Sequence, residues 1–153
     1  MTRFGWEPLK TLLAEPNFRD IAQAYYDELW GDTGVVCVPD WDKRQAMEDA
    51  FCYRIWTAHV DGTLAGFIEF QLGPTVNARD TLFAVDLGHF ISPTFRGKGV
   101  LGYRMWRAAE RALEEMGVRA MLCHDNMKHP LMPFFLSLGM KPIGTLFHKV
   151  IGQ

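Results

Sequence analysis

The chain lacks any cysteine pattern that would staple it or bind a metal. Its three cysteines, Cys37, Cys52 and Cys123, are odd in number, far apart and form no CxxC pair. A disulfide framework is therefore not expected, and a reduced, intracellular setting is. No stretch approaches the ~20 apolar residues of a membrane span. The opening Met1-Thr2-Arg3-Phe4-Gly5-Trp6, followed by acidic Glu7, has no apolar run of signal-peptide length. A soluble, cytoplasmic protein is the expectation. Neither sign of charge dominates: 16 Lys and Arg stand against 18 Asp and Glu, a net charge of −2. No global field then draws nucleic acid or an anionic membrane to the protein. Repeats, low-complexity segments and linkers rich in Pro, Gly or Ser are absent, so the 153 residues are expected to form one domain over 1–153. The GxxxxGK[ST] spacing of a nucleotide-binding P-loop is also missing, despite Lys98.

What the chain does have is enough apolar mass for a real core. Its hydrophobic fraction is 48%, with 11 Phe and 5 Trp, and a domain of this size buries roughly 68–70% of its unfolded surface. Helical spacing of Phe18, Ile21, Ala22, Tyr25 and Leu29 predicts a helix from Asn17 to Trp30, with Asn17 as cap and Gly31 after it. A second helix is expected over Asp40 to Cys52. Arg54 to Val60 and Leu64 to Leu72 read as a hairpin across Asp61-Gly62, with Gly73-Pro74 ending the second strand. Asp80 to Ile91 reads as a longer strand, and Gly88 inside it signals a bulge. Gly102 to Met116 is the clearest helix, striped by Trp106, Ala109, Leu113 and Met116 and closed by Gly117. A strand over Val118 to Cys123, a short helix from His129 or Pro130 to Leu138 and a last strand over Ile143 to Ile151 complete an α/β domain with a mixed sheet.

The segment richest in chemistry is Arg96-Gly97-Lys98-Gly99-Val100-Leu101-Gly102. It lies between a strand and an amphipathic helix. Glycines just ahead of a helix leave backbone N–H groups unobstructed, and the positive end of the helix dipole favours phosphate oxygens. Arg96 and Lys98 add positive charge at the rim.

The run Ile91-Ser92-Pro93-Thr94-Phe95-Arg96-Gly97-Lys98-Gly99 resembles the V-x-P-x-[FY]-R-G-K-G strand end of the GNAT acyl-CoA N-acyltransferase superfamily. Arg96 and Gly99 match its [R/Q]-x-x-G-x-[G/A] pyrophosphate motif. Asp125-Asn126 and Phe134-Phe135-Leu136-Ser137-Leu138-Gly139-Met140 resemble its N-x-x-A and F-Y-x-x-x-G-F segments. The resemblance runs from about Arg54 to Val150. The N-terminal part is more similar to a subset carried by bacteriophages and bacteria. Two positions depart from the pattern. The second small residue falls on Leu101, with Gly102 one place late. Phe135 stands where many members carry a tyrosine that protonates the departing thiolate.

The resemblance implies the GNAT fold, with a mostly antiparallel sheet, a splayed parallel strand pair and flanking helices. It implies acetyl-CoA as donor and direct transfer to a primary amine of a small molecule or peptide, with a homodimer common in the superfamily. It places the pantetheine between the splayed strands, against the backbones of His89, Phe90 and Ile91. The diphosphate falls on the amides from Gly97 to Gly102, and Asn126 and Phe135 lie nearby. A scaffold that keeps the fold without the chemistry is the alternative.

Transfer would need a base, because an alkylammonium is protonated near neutral pH. Asp86, His89 and His124 are the alternatives, with Glu69 or a water chain behind them. Asp86 could equally be a sheet-edge charge, His89 a packed ring and His124 a loop residue. A backbone N–H near Gly88–Phe90 could serve a developing oxyanion. The pair His124 and His129, five apart around Asp125, lacks further ligands, so no metal is expected. Cys123 as nucleophile competes with its reading as a small buried hydrophobe. Trp30, Trp41 and Trp56 could line an acceptor pocket or belong to the core.

Overall fold

A computed structural model of the chain describes residues 1–31, 36–75, 78–97, 100–125 and 130–144. Among these residues five strands form one sheet in chain order: β1 Thr2–Glu7, β2 Tyr53–Val60, β3 Thr63–Thr75, β4 Ala78–Ile91 and β5 Ala120–Leu122. The first four are antiparallel neighbours, and β5 runs parallel to β4. Before β2 come α1 Leu9–Leu13, α2 Phe18–Trp30 and α3 Trp41–Asp49. Between β4 and β5 lies α4 Leu101–Glu115, and α5 Met132–Ser137 follows β5. The mixed α/β architecture expected from the sequence is the one observed.

Alternation along the strands builds a core on each face of the sheet. On one face Trp56, Ile68, Phe70 and Ala84 meet Met105, Trp106, Ala109 and Leu113 of α4 and Phe135 of α5. On the other, Ile55, Phe67 and Phe90 meet Leu9 and Leu12 of α1 and Phe18 and Ala22 of α2. Burying each such aliphatic or Phe side chain contributes roughly 1.5–3 kcal/mol. The hairpin at Asp61-Gly62 forms as read: both residues adopt positive φ, 50° and 81°, which a tight two-residue turn demands.

Several boundaries differ from the sequence reading. An N-terminal strand, unread because only Phe4 and Trp6 alternate in it, pairs with β2, and Trp6 packs edge-on against Trp56 at 4.8 Å. The five-residue α1 is too short to show a period. No side chain caps α2, since Asn17 offers only its carbonyl, to Ile21 N–H. The second expected helix stops at Asp49, and Phe51 turns the chain with φ 59°. Strand β3 does not end at Gly73-Pro74 but runs to Thr75. Beyond Gln71 it has no β2 partner, so the missing N–H of Pro74 costs no ladder bond on that side. The α4 stripe ends at Leu113: Met116 is exposed, because the chain turns at Gly117 and Val118 N–H bonds back to Leu113. The last expected strand lies outside the described residues from Thr145 onward.

Candidate active site

The site begins with one extra residue. Glu69 of β3 pairs with Gly88, but the next residue, Phe70, pairs with Asp86, so Leu87 is bulged out of the ladder. Residues three apart on a regular strand point to opposite faces. The inserted Leu87 resets the alternation and brings Asp86 and His89 to the same side. His89 Nδ1 lies 2.8 Å from Asp86 Oδ2, and the His89 ring packs edge-on against Trp106 at 5.4 Å. Phe90 turns to the opposite core beside Phe67.

That contact fixes a tautomer. With Asp86 ionised, His89 Nδ1–H donates to it, leaving Nε2 with its lone pair. Asp86 is 1% exposed and its Oδ1 is buried without a partner among the described residues, whereas the His89 side chain keeps 19% of its surface. The carboxylate therefore orients the ring, and the ring is the group that reaches the open site.

The same bulge opens the sheet. Strands β4 and β5 pair only from Phe83, Ala84 and Val85 to Ala120, Met121 and Leu122. Past that point they separate, and His124 spans the gap by donating Nδ1–H to the Asp86 carbonyl at 2.8 Å. The separation continues into a cavity of about 1020 Å³, at the top of the range of roughly 300–1,000 Å³ for small-molecule sites. Helix α2 closes it with Tyr25, Leu29 and Trp30, β4 with Asp86 to Ile91, and α4 with Gly102, Tyr103 and Trp106. Leu131 and Phe134 close the α5 side.

Arg96 is committed to this frame. Its Nε donates to the Ile91 carbonyl at 2.7 Å, its Nη2 to Glu28 at 2.8 Å, and its guanidinium lies 4.7 Å from the Phe90 ring centre. It clips the glycine loop to α2 and β4. Gly97 is exposed; Lys98, Gly99 and Asn126 lie outside the described residues. Val100 and Gly102 line the cavity, and Leu101 opens α4. Phe135 is not among the lining residues. Its ring is 7% exposed and sits against His89 and Trp106 at 5.7 and 5.6 Å, completing the floor beneath the imidazole.

A match to the Acetyltransferase (GNAT) family model spans residues 15–140. The chain belongs to the GNAT acetyltransferase family. Solved structures agree at the level of fold. An aminoglycoside acetyltransferase from an uncultured soil metagenomic sample, in complex with sisomicin, superposes with a TM-score of 0.73 at 10% identity, covering 98% of this chain and 96% of that one. A predicted acetyltransferase with acetyl-CoA from Clostridium acetobutylicum gives 0.66 at 12% identity, covering 99% and 97%. A ribosomal-protein-alanine N-acetyltransferase from Brucella melitensis biovar Abortus 2308 gives 0.66 at 17% identity, covering 99% and 98%. No curated protein matches the chain.

In this GNAT protein the described start of α4 suits an anion. No side chain caps α4 and its first turn holds no acidic residue; among the described residues, the first N–H bonded within the helix is that of Arg104. The first turn thus presents backbone donors at the positive end of a 15-residue helix.

Of the remaining candidates His124 and Trp30 line the cavity, and Glu69, Cys123, Trp41 and Trp56 do not. Glu69 is wholly buried and bonded by the Tyr53 hydroxyl at 2.8 Å and Arg44 at 3.3 Å. Burial pushes its carboxyl above the usual range against the pull of Arg44, and it has no path to an acceptor. Burial, then the Asp86 charge, likewise pushes the Cys123 thiol far up, which disarms it as a nucleophile. Trp56 is core and Trp41 packs on Phe18, whereas Trp30 faces the cavity. Glu7, Glu15 and His59 cluster on the far side of the sheet, where the Arg3 guanidinium already pairs with Glu7 at 2.7 Å.

Sequence reasoning named Asp86 and His89 singly but missed that they form a pair. It also missed Tyr25 and Glu28. The signal for the pair was present: Asp86-x-x-His89 around Gly88 makes sense on a strand only if a bulge intervenes.

Proposed function

We propose that this protein is an N-acetyltransferase that moves an acetyl group from acetyl-CoA directly to a primary amine, with His89 as base and Asp86 as the residue that positions it. The observation that carries this reading is the Asp86–His89 hydrogen bond at 2.8 Å in the mouth of the strand separation. The uncapped start of α4 holds the diphosphate, and the open edge of β4 from His89 to Ile91 pairs with the pantetheine amides as an added strand would. The thioester supplies an activated acyl carbon. Its thiol has an ordinary pKa of roughly 8.5, so it is a tolerable leaving group.

The chain's own residues handle the proton and the geometry. His89 Nε2 takes a proton from the incoming amine, Asp86 stabilises the imidazolium, and the same proton later returns to the sulfur. Positioned acid–base help of this kind is typically worth ~10²–10⁴-fold. The acceptor enters from the α2 side, where Tyr25, Leu29, Trp30 and Leu87 offer apolar surface. A primary amine with an apolar body suits that wall.

The missing hydroxyl at Phe135 favours a second reading, a GNAT-fold module without transfer activity. Two measurements decide. Acetyl-CoA at 100 times its dissociation constant should stabilise a binder by ~2.7 kcal/mol, seen as a raised Tm. Thiol release from acetyl-CoA across a panel of amines should then show turnover. Stabilisation without release by any amine points to a module that keeps the cofactor site, and an absence of stabilisation overturns the transferase reading in favour of the module.

A further inference from the structure

Acyl transfer from a thioester needs a hydrogen-bond donor for the sulfur as well as a proton acceptor for the amine. Apart from the proton that His89 Nε2 carries from the amine, the obvious side-chain donors near the bulge are spent. His89 Nδ1–H and His124 Nδ1–H point at Asp86, and the Ser137 hydroxyl donates to Phe134 at 2.6 Å. Phe135 has none to give. The hydroxyl set against the bulge itself is that of Tyr25, and it comes from the opposite face of the sheet. Tyr25 of α2 lies against Gly88 so closely that a Cβ there would meet its Cε1, Cζ and Oη at 2.8 Å. Among the described residues its hydroxyl is bonded to the carbonyl of the bulged Leu87, at a slack 3.5 Å, a distance at which little would be lost by turning to a ligand.

We propose that Tyr25 is a catalytic residue of this site: its Oη donates a hydrogen bond to the departing sulfur, the duty that the phenyl ring of Phe135 leaves unfilled. The inference rests on the acetyl-transfer reading above. No proton leaves Tyr25. The ammonium gives up one proton to solvent; then the C–N bond forms and the C–S bond breaks, a second nitrogen proton passes through His89 Nε2 to the sulfur, and the products are an amide and a free thiol. Burial, helped by the charge of Asp86, keeps the phenol protonated across the working range, which suits a donor and disqualifies it as a base. Edge-on contacts with Tyr26, Phe67 and Phe90, at 5.0, 6.0 and 6.1 Å between ring centres, hold the ring in this pose.

The test is Tyr25→Phe, which keeps every ring contact and so should fold with an unchanged Tm. One hydrogen bond to a charged group is worth enough to lower kcat by roughly 10- to 100-fold, with the KM for acetyl-CoA little changed. A second readout needs no turnover. The ultraviolet absorbance of the thiolate in bound coenzyme A reports its ionisation, and Tyr25→Phe should raise that pKa by about one to two units. Tyr25→Phe combined with Phe135→Tyr should recover much of the lost rate. An unchanged kcat, or an unchanged thiol ionisation, overturns the role of Tyr25 while leaving acetyl transfer standing. A parent protein that acetylates no amine overturns the transfer reading instead, and this proposal with it.

Discussion

Replacing Gly88 by alanine tests whether the bulge and α2 are truly interlocked. The added Cβ would lie 2.8 Å from three atoms of the Tyr25 ring, closer than real Cβ contacts come. Gly88 is not among the positive-φ residues, so alanine suffers no backbone strain there and the effect is steric alone. Tyr25 cannot simply swing aside, because Tyr26, Phe67 and Phe90 flank its ring. Either the ring leaves its rotamer or α2 lifts. Overpacking of this kind costs roughly 1–3 kcal/mol, partly offset by the ~0.4–1 kcal/mol that Gly→Ala gains by restricting the unfolded chain. For a chain of this length that net cost amounts to a fall in Tm of up to about 10 °C. The assay is urea or thermal unfolding of a double-mutant cycle with Tyr25→Ala. In the Tyr25→Ala background the obstacle is gone, and the Gly88→Ala cost should shrink to ~0.5 kcal/mol or less. Equal costs in both backgrounds, or a Gly88→Ala protein as stable as the parent, would refute the interlock and with it the placement of Tyr25 over the reacting atoms.

Other perturbations pull stability and function in opposite directions. Asp86→Asn removes a buried carboxylate whose Oδ1 has no partner among the described residues, so unfolding stability should hold or rise, while kcat falls ~10²–10⁴-fold as His89 loses its orienting charge; a parallel loss of both would mean the pair is merely structural. Val100→Asp supplies the absent N-cap of α4, for a gain of ~0.5–2 kcal/mol, yet sets a carboxylate where phosphate oxygens belong. The variant should be more stable and should lose the acetyl-CoA-induced rise in Tm; a retained rise would place the diphosphate elsewhere. Alkaline stability should follow Cys123. Its folded pKa is raised by burial and by Asp86, so as pH climbs past ~8.5 the unfolded chain releases a proton that the native chain keeps. Unfolding free energy then drops by up to ~1.4 kcal/mol per pH unit, and above ~10 the buried hydroxyls of Tyr53, Tyr25 and Tyr26, also raised by burial, steepen the fall. Cys123→Ala should flatten the first segment; urea midpoints at pH 8, 9 and 10 check it, and a stability that rises with pH would contradict the burial of the thiol.

The architecture was legible where one element carries its own period. Helix α4 shows this best, since Trp106, Ala109 and Leu113 need only their spacing to declare a buried stripe. The Asp61-Gly62 turn is equally local. Strand β1 and helix α1 were not legible, because each is short and owes its form to partners far along the chain: Trp6 to Trp56, and Leu9 N–H to the Glu48 carboxylate at 3.0 Å. Pro74 misled for the same reason, as its tolerance depends on where β2 stops. At the site, Arg96 and the glycines around it could be read as a phosphate loop. Their spacing could not reveal that Arg96 reaches 68 residues back to Glu28.

The candidate base shows why a list of residues understates a site. Asp86 and His89 are three apart, and on an unbroken strand that spacing would place them on opposite faces of the sheet. Only the insertion of Leu87 reconciles them, and the same insertion has two further effects. It bends β4 away from β5 after Val85, which opens the cavity, and it presents Gly88 to α2, where the absence of a side chain admits Tyr25. One residue out of register thus assembles a proton acceptor, a cleft and a hydroxyl donor at one point. Deleting Leu87 should restore regular pairing with β3, turn either Asp86 or His89 away and abolish the hydrogen bond between them. A deletion variant that folds yet keeps the pH dependence of the parent's turnover would show that the pair has no part in the chemistry.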